Sequence, residues 1–239
     1  MMAECLLTID TSTPAGSVAL SRGDELVGEV LLNLRSTHSD RLLPAMQQLL
    51  REAELSLAEL DAFGVVLGPG SFTGLRVGVA TVKGLALATG KPVVGVSSLQ
   101  TLALQAPYPA YPVSVWLDAR KQEIYAGRYH WEGGLPVALD EERVAPPEVL
   151  LEEVSEEMLF VGSGAVAYRS LIVRRLGSRA HFVPWPLQQP RASSAAALAL
   201  SAFRNRETIP LEVLEPRYIR LSEAEIMLAK RPADSPIEG

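Results

Sequence analysis

The sequence is poor in the residues that metal and nucleophile chemistry draw on. Its 239 residues include one cysteine, Cys5, and three histidines, His38, His130 and His181. A lone cysteine excludes an internal disulfide and suits a reducing compartment. Cys5 sits in the first apolar run and reads as a small buried hydrophobe. The histidines share no metal-ligand spacing and no helix pairs two of them at i, i+4, so neither a metal nor another cofactor is expected. His38-Ser39 shows no nucleophile constellation; a helix cap is the simpler account. No run approaches the roughly 18 apolar residues that span a bilayer, and the N-terminus lacks a signal-peptide pattern. A cytoplasmic protein without a membrane partner is expected. The net charge of −6 has the wrong sign for autonomous nucleic-acid binding. One absence is local: no Asp or Glu occurs from Ala62 through Leu117.

That acid-free region holds the stretch around which the chain is organised, Val65 to Ala88. Ala62 to Leu67 is a short apolar run rich in β-branched residues, broken by Gly68-Pro-Gly70, which reads as a buried strand entering a tight turn. Ser71 or Thr73 can cap the helix that follows. At about 100° per residue, Leu75, Val79, Val82 and Ala86 form one apolar stripe, and Val77, Ala80, Gly84, Leu87 and Ala88 a second on the opposite side. A helix apolar on two sides must be covered on both. One side packs on its own sheet; the other, made of small residues, needs more of this chain or another protein.

With 48% hydrophobic and 21% charged residues, the chain has an ordinary globular composition and the length for one large or two medium domains. Its order suggests an internal duplication. Glu4–Asp10, Ser17–Ser21 and Glu25–Leu34 read as a β-meander, and Val113–Asp118, Ile124–His130 and Leu135–Leu139 repeat it, with Asp10 and Asp118 at equivalent places. Ser39–Ala53 is a helix with Leu42, Leu43, Met46, Leu49, Leu50 and Ala53 on its apolar face, capped by Ser36, Thr37 or Ser39 and tolerating Pro44 in its first turns. Lys91–Val96 is a buried strand and Ser98–Ala106 a helix. Pro107–Pro112 reads as a hinge, giving an N-terminal lobe over 1–106 and a C-terminal lobe over 107–225. In the second half we expect helices at Pro146–Val154, Ala165–Leu176 and Ser194–Asn205, strands at Met158–Gly162 and His181–Val183, and a last helix at Ser222–Lys230. Residues 226–239 read as a disordered tail.

The glycines from Gly68 to Gly74 invite a nucleotide reading, but neither fingerprint fits. A P-loop needs Gly-Lys-Ser/Thr, and Gly74 precedes Leu75; a dinucleotide fold needs an acid about 20 residues on, and none is present. Asp10-Thr11-Ser12 and Asp118-Ala-Arg have a better claim, because a carboxylate at a strand end beside hydroxyls can hold phosphate and metal in a two-lobed fold. Gly162-Ser-Gly164 would then face the adenosine. Pro14, however, interrupts the run of backbone N–H groups a phosphate cradle requires. Two turn aspartates in a meander are the competing reading. Arg169, Arg174, Arg175 and Arg179 read as a solvated helix face, with an RNA contact through a partner as the alternative.

The string Gly68-Pro-Gly-Ser-Phe-Thr-Gly-Leu-Arg-Val-Gly78, the following Lys83-Gly-Leu-Ala-Leu-Ala, Ile9-Asp-Thr-Ser, His38-Ser-Asp-Arg-Leu-Leu-Pro44 and Pro216-Arg-Tyr-Ile-Arg220 closely resemble the TsaB (YeaZ) family. The match is dense over residues 5–106 and looser beyond. It implies an α/β two-lobed fold like actin, the heat-shock chaperone ATPases and sugar kinases. It also implies a non-catalytic part in forming N6-threonylcarbamoyladenosine at position 37 of tRNA, beside the catalytic paralogue TsaD and the ATPase TsaE. tRNA would be met only through the complex. A histidine pair that TsaD uses for metal corresponds to Ser98 and Leu102 here, and an acidic pair to Pro14 and Ala15, leaving Asp10, Thr11, Ser12, Asp118, Gly162 and Gly164 as a degenerate nucleotide-site remnant.

The resulting expectation is a scaffold whose interface is built from Leu42, Leu43, Met46 and Leu50 of the first helix and Val77, Ala80, Gly84 and Ala88 of the second, self-associating as a homodimer when alone. Its rivals are an ATP-dependent kinase or ATPase using Asp10 and Asp118, and, less favoured, a metallopeptidase.

Overall fold

The computed structural model describes residues 3–34, 38–106 and 109–220. The caps at Ser36 and Thr37, the side chains of His38 and Ser39, the first two residues of the expected hinge, the Ser222–Lys230 helix and the 226–239 tail lie outside the described residues.

Two sheets share one plan. Strands β1 (Cys5–Asp10), β2 (Gly16–Arg22), β3 (Glu25–Leu32), β4 (Ala62–Gly68) and β5 (Val93–Ser97) form the first, in the order β3-β2-β1-β4-β5. Strands β6 (Val113–Asp118), β7 (Ile124–Glu132), β8 (Leu135–Ala138), β9 (Arg143–Ala145), β10 (Met158–Val161) and β11 (Ala180–Phe182) form the second, in the order β11-β10-β6-β7-β8, with β9 pairing β7. In each, an antiparallel meander is extended by parallel strands from the central one. The duplication read from the two meanders is therefore complete: β6, β7, β8, β10 and β11 repeat β1 to β5. This is the α/β, two-lobed architecture with a duplicated meander that the sequence led us to expect.

The helices are α1 (His38–Glu52), α2 (Phe72–Thr89), α3 (Ser98–Ala103), α4 (Pro147–Glu152), α5 (Ser163–Ala167), α6 (Arg169–Leu176) and α7 (Ala192–Arg204). Strand β1 is buried along its whole length, so both its faces need cover. Cys5, Leu7 and Ile9 face α1 and α2, while Leu6 packs with Ala195, Leu198 and Ala199 of α7. Gly64 on β4 lets α7 approach closely: a Cβ there would sit 2.5 Å from Thr8 Oγ1 and 3.0 Å from Ala199 Cβ.

This packing corrects the expected boundary. Helix α7, assigned to the second lobe over 107–225, covers the first sheet. Conversely α3, assigned to the first lobe, buries Leu99, Leu102 and Ala103 against Val113, Val115 and Leu117 of β6. The halves exchange helices. The first turn of α7 has free N–H groups that the helix itself cannot satisfy. Buried Glu29 on β3 accepts from Ser193 N at 2.9 Å and from the Arg191 guanidinium at 2.7 Å, and Ser17 Oγ accepts from Ala192 N at 2.9 Å. Arg204 in its last turn pairs with Glu4 and Asp24.

Other differences are local. The expected Ala165–Leu176 helix is two helices, breaking at Tyr168. Strand β9 is too short to carry an alternation signal. Among the described residues, no helix is long and apolar enough to cross a membrane.

Candidate functional site

The Gly-Pro-Gly-Ser turn and the start of α2 form a seat for the loop that leaves β1. Ser71 caps α2, its Oγ accepting from Gly74 N at 3.3 Å. Ser71 N donates to Ser12 O at 2.7 Å, and Thr11 Oγ1 donates to Gly74 O at 2.7 Å. Only glycine fits at these contacts. A Cβ on Gly70 would lie 2.2 Å from Ser12 O, and one on Gly78 would lie 2.3 Å from Thr11 Oγ1. The glycines thus serve close packing within the chain, and the amides of Ser71 and Gly74 are already committed.

A cleft of about 540 Å³ lies between the lobes, lined on one side by Ser12, Thr13, Ser71 and Thr73 and on the other by Asp118, Arg120, Tyr125 and Ser163. Asp10 and Asp118 occupy matching positions, each closing its own turn. Asp10 Oδ1 accepts from Ser12 N at 2.8 Å, and Asp118 Oδ1 accepts from Arg120 N at 2.8 Å. The β6–β7 turn also ties Ala119 N to Glu123 O and Glu123 N to Arg120 O, both at 3.0 Å. The amides of Ser12, Ala119, Arg120 and Glu123 are thus spent on the loops themselves.

The two aspartates differ in burial. Asp118 is exposed, whereas Asp10 is fully buried, its Oδ2 and the Ser12 hydroxyl having no well-formed hydrogen bond. Burial pushes the Asp10 carboxyl from 3.8 up to about 6, with the Ser12 hydroxyl and amide pulling the other way. Gly162 and Gly164 do not open toward a ligand: both are buried, and a Cβ on either would lie within 3.0 Å of Trp116 O. Ser163 between them reaches the cleft. Ser98 and Leu102 are sealed in the core, the Ser98 hydroxyl donating to Pro69 O. Among the described residues, no group of three or more His, Cys, Asp or Glu is placed to hold a metal ion.

A polar hub between the lobes carried no sequence signal. Glu142, 7% exposed, accepts from the Tyr129 hydroxyl at 2.6 Å, from Arg217 at 2.9 Å and from Ser97 Oγ. Burial and the adjacent carboxylate drive the Tyr129 phenol far above its ordinary value. Arg217 N also donates to Leu67 O at 2.8 Å, and Arg220 bonds Ala119 O at 2.9 Å, so residues 216–220 strap one lobe to the other.

The expected interface residues divide. On α2, Leu75, Val79, Val82 and Ala86 are core, while Ala80, Gly84 and Ala88 are exposed and Val77 is half-buried. Leu87 is 68% exposed. A Cβ on Gly84 would meet nothing within 4 Å among the described residues. On α1, Leu42, Met46 and Leu50 are not available to a partner, because α1 has one apolar stripe and the sheet takes it; Leu43, 48% exposed, is the one that faces outward.

Fold and cleft together define a two-lobed α/β protein in which loops beside the cleft spend amides on their own turns. The family model for TsaD, tRNA N6-adenosine threonylcarbamoyltransferase, matches residues 27–228. The Bacillus subtilis tRNA threonylcarbamoyladenosine biosynthesis protein TsaB is 32% identical over 92% of this chain and 96% of its own length. The Escherichia coli TsaB is 34% identical over 90% and 94%. The solved structure of YeaZ from Pseudomonas aeruginosa superposes with a TM-score of 0.77 at 34% identity, covering 90% of this chain and 99% of that one. The chain belongs to this family and, within it, to TsaB.

Proposed function

We propose that this chain is a non-catalytic subunit in the formation of N6-threonylcarbamoyladenosine in tRNA. It supports a TsaD-like catalytic paralogue, with a TsaE-like ATPase in the same assembly, and meets tRNA only through that complex. The carrying observation is the outward face of α2. Ala80, Gly84, Leu87 and Ala88 form an apolar strip that the described residues leave uncovered, and uncovered apolar surface of this kind marks a protein interface. A mid-helix glycine weakens a helix by about 1 kcal/mol, and nothing among the described residues requires one at position 84. Close approach of a second helix would.

The test is co-elution with the TsaD-like paralogue, with threonylcarbamoyl transfer to tRNA assayed beside it. Complex formation and transfer that depends on this chain are expected, and Ala80→Asp abolishes both while the chain stays folded. Undiminished binding by that variant would refute the interface.

The cleft favours a second reading, an ATP-dependent enzyme using Asp10 and Asp118, because its volume suits a nucleotide. The amides spent within both loops oppose it. Calorimetric titration of ATP into the isolated chain decides: micromolar affinity lost in Asp10→Ala would overturn the scaffold reading.

A further inference from the structure

The first sheet has two outer strands, β3 and β5, and they are not alike. The edge of β5 is taken up by the chain itself, Ile209 N donating to Val93 O at 2.8 Å. Strand β3 has β2 on one side and, among the described residues, no strand on the other. It runs for eight residues without a proline, lysine or arginine, the residues that commonly keep an edge strand from pairing. Its bulge lies near the hairpin end, opposite Ser21, and leaves Gly28 to Leu32 in regular register. Arg41 Nη1 takes the carbonyl of Leu32, at the strand's far end, at 3.1 Å. Of its two acids, Glu29 is turned toward α7, where Arg191 and Ser193 N hold it. What the edge shows to solvent is largely apolar: Leu26, Val27 and Leu31 are exposed, and so is Leu34 just beyond.

We propose that the β3 edge docks a second copy of this chain, the two β3 strands pairing antiparallel about a two-fold axis so that the sheets join into one. An unpaired row of N–H and C=O groups flanked by apolar side chains is completed by an extended strand. A second β3 offers the same row, and the two-fold closes both edges at once. Antiparallel pairing also sets the acidic hairpin tips, Asp24 and Glu25, at opposite ends of the ledge, about 26 Å apart for eight residues; parallel pairing would stack them. Area favours the same occupant. Helix α1 lies over β2 and β3, so joining the sheets brings two α1 helices within two or three strand spacings, roughly 10–14 Å. That is close to the roughly 8–10 Å of packed helices. Ledge and helix flank together reach the low end of specific interfaces, about 1,200 Å², and the dimer is accordingly weak. Helix α2 packs on β4 and β1, so its outward strip stays free, and the pairing does not depend on what docks there.

The experiment follows the full chain by sedimentation from low to high micromolar concentration, with amide exchange measured at both ends of that range. Self-association is expected, with exchange in β3 slowing as concentration rises and exchange in α2 unchanged. Leu26→Lys and Leu31→Lys each weaken self-association at least tenfold, while thermal unfolding of the dilute chain and affinity for the TsaD-like subunit stay as in the parent. Ala80→Asp self-associates like the parent, whatever it does to the heterocomplex. A chain that stays monomeric throughout overturns the proposal. So does self-association lost in Ala80→Asp and kept in Leu26→Lys, which puts the contact on the helices. Protection of β3 that appears only when the TsaD-like subunit is added gives the edge to a different protein, and overturns it too.

Discussion

Asp10→Asn isolates a single buried ionisation. In the folded chain the Asp10 carboxyl ionises near pH 6, against 3.8 for the free group. The folded state therefore holds its proton over a range where the unfolded state has released it. Stability that is fully present below pH 3.8 is lost as the pH rises through 6. The separation corresponds to about 3 kcal/mol withdrawn from the fold above that window. Asparagine keeps the Oδ1 acceptor for Ser12 N and cannot ionise. Its amide adds a buried donor that costs about 1–3 kcal/mol if unpaired, but this penalty does not vary with pH. The readout is the stability difference between variant and parent from urea titrations at pH 4 and pH 7. It is expected to move by about 2.4 kcal/mol in favour of the variant between those values, part of the shift having already occurred at pH 4. A difference that is flat with pH would refute the burial argument. A difference that moves against the variant would mean that the folded chain holds the carboxylate as an anion.

Gly84→Ala raises the thermal stability of the isolated chain by the equivalent of about 1 kcal/mol, since its Cβ enters open space, and weakens the complex with the TsaD-like subunit in the same preparations. Gly78→Ala drives a methyl into Thr11 Oγ1, 2.3 Å away; a loss of about 1–3 kcal/mol is expected in denaturant titrations, part of it recovered in the double variant with Thr11→Ala. Glu142→Ala leaves Tyr129, Arg217 and Ser97 without their shared acceptor and lowers stability by about 2–4 kcal/mol, with Glu142→Gln milder. Amide exchange in Glu142→Ala rises first at β5 and in residues 216–220.

How far the sequence announced this structure depends on the kind of signal. Alternation and β-branching located the strands of both meanders, because Val113–Asp118 and Cys5–Asp10 are continuous apolar runs ending in Asp. The two-striped pattern of α2 correctly separated a core side from an outward one. The same logic misled for α1, where Leu42, Met46 and Leu50 form one stripe and the sheet claims it. Periodicity tells that a face is apolar, not which neighbour covers it. For the same reason the Ala-rich run at 194–205 reads as a helix without revealing that it crosses to the opposite half. Gly162 and Gly164 look like ligand glycines in sequence, and only the position of the Trp116 carbonyl shows that they exist for packing. Glu142 stands in an Asp-Glu-Glu run with nothing to mark it off from exposed Glu141 beside it.

The exchange of α3 and α7 has a consequence for synthesis. The first sheet is finished once Ser97 has been made, yet Leu6, Val66, Val94 and Val96 wait for α7 to cover them, and α7 ends at Arg204. On the ribosome the N-terminal half therefore emerges with one greasy side bare for about another hundred residues, several seconds or more at ordinary elongation speeds. The order in which the halves mature is inverted: the second sheet receives α3, already made, as soon as its own strands appear, while the first is closed last. Nascent chains stalled before α7 should be captured by chaperones, and those stalled well after Arg204, with α7 clear of the exit tunnel, should be released from them.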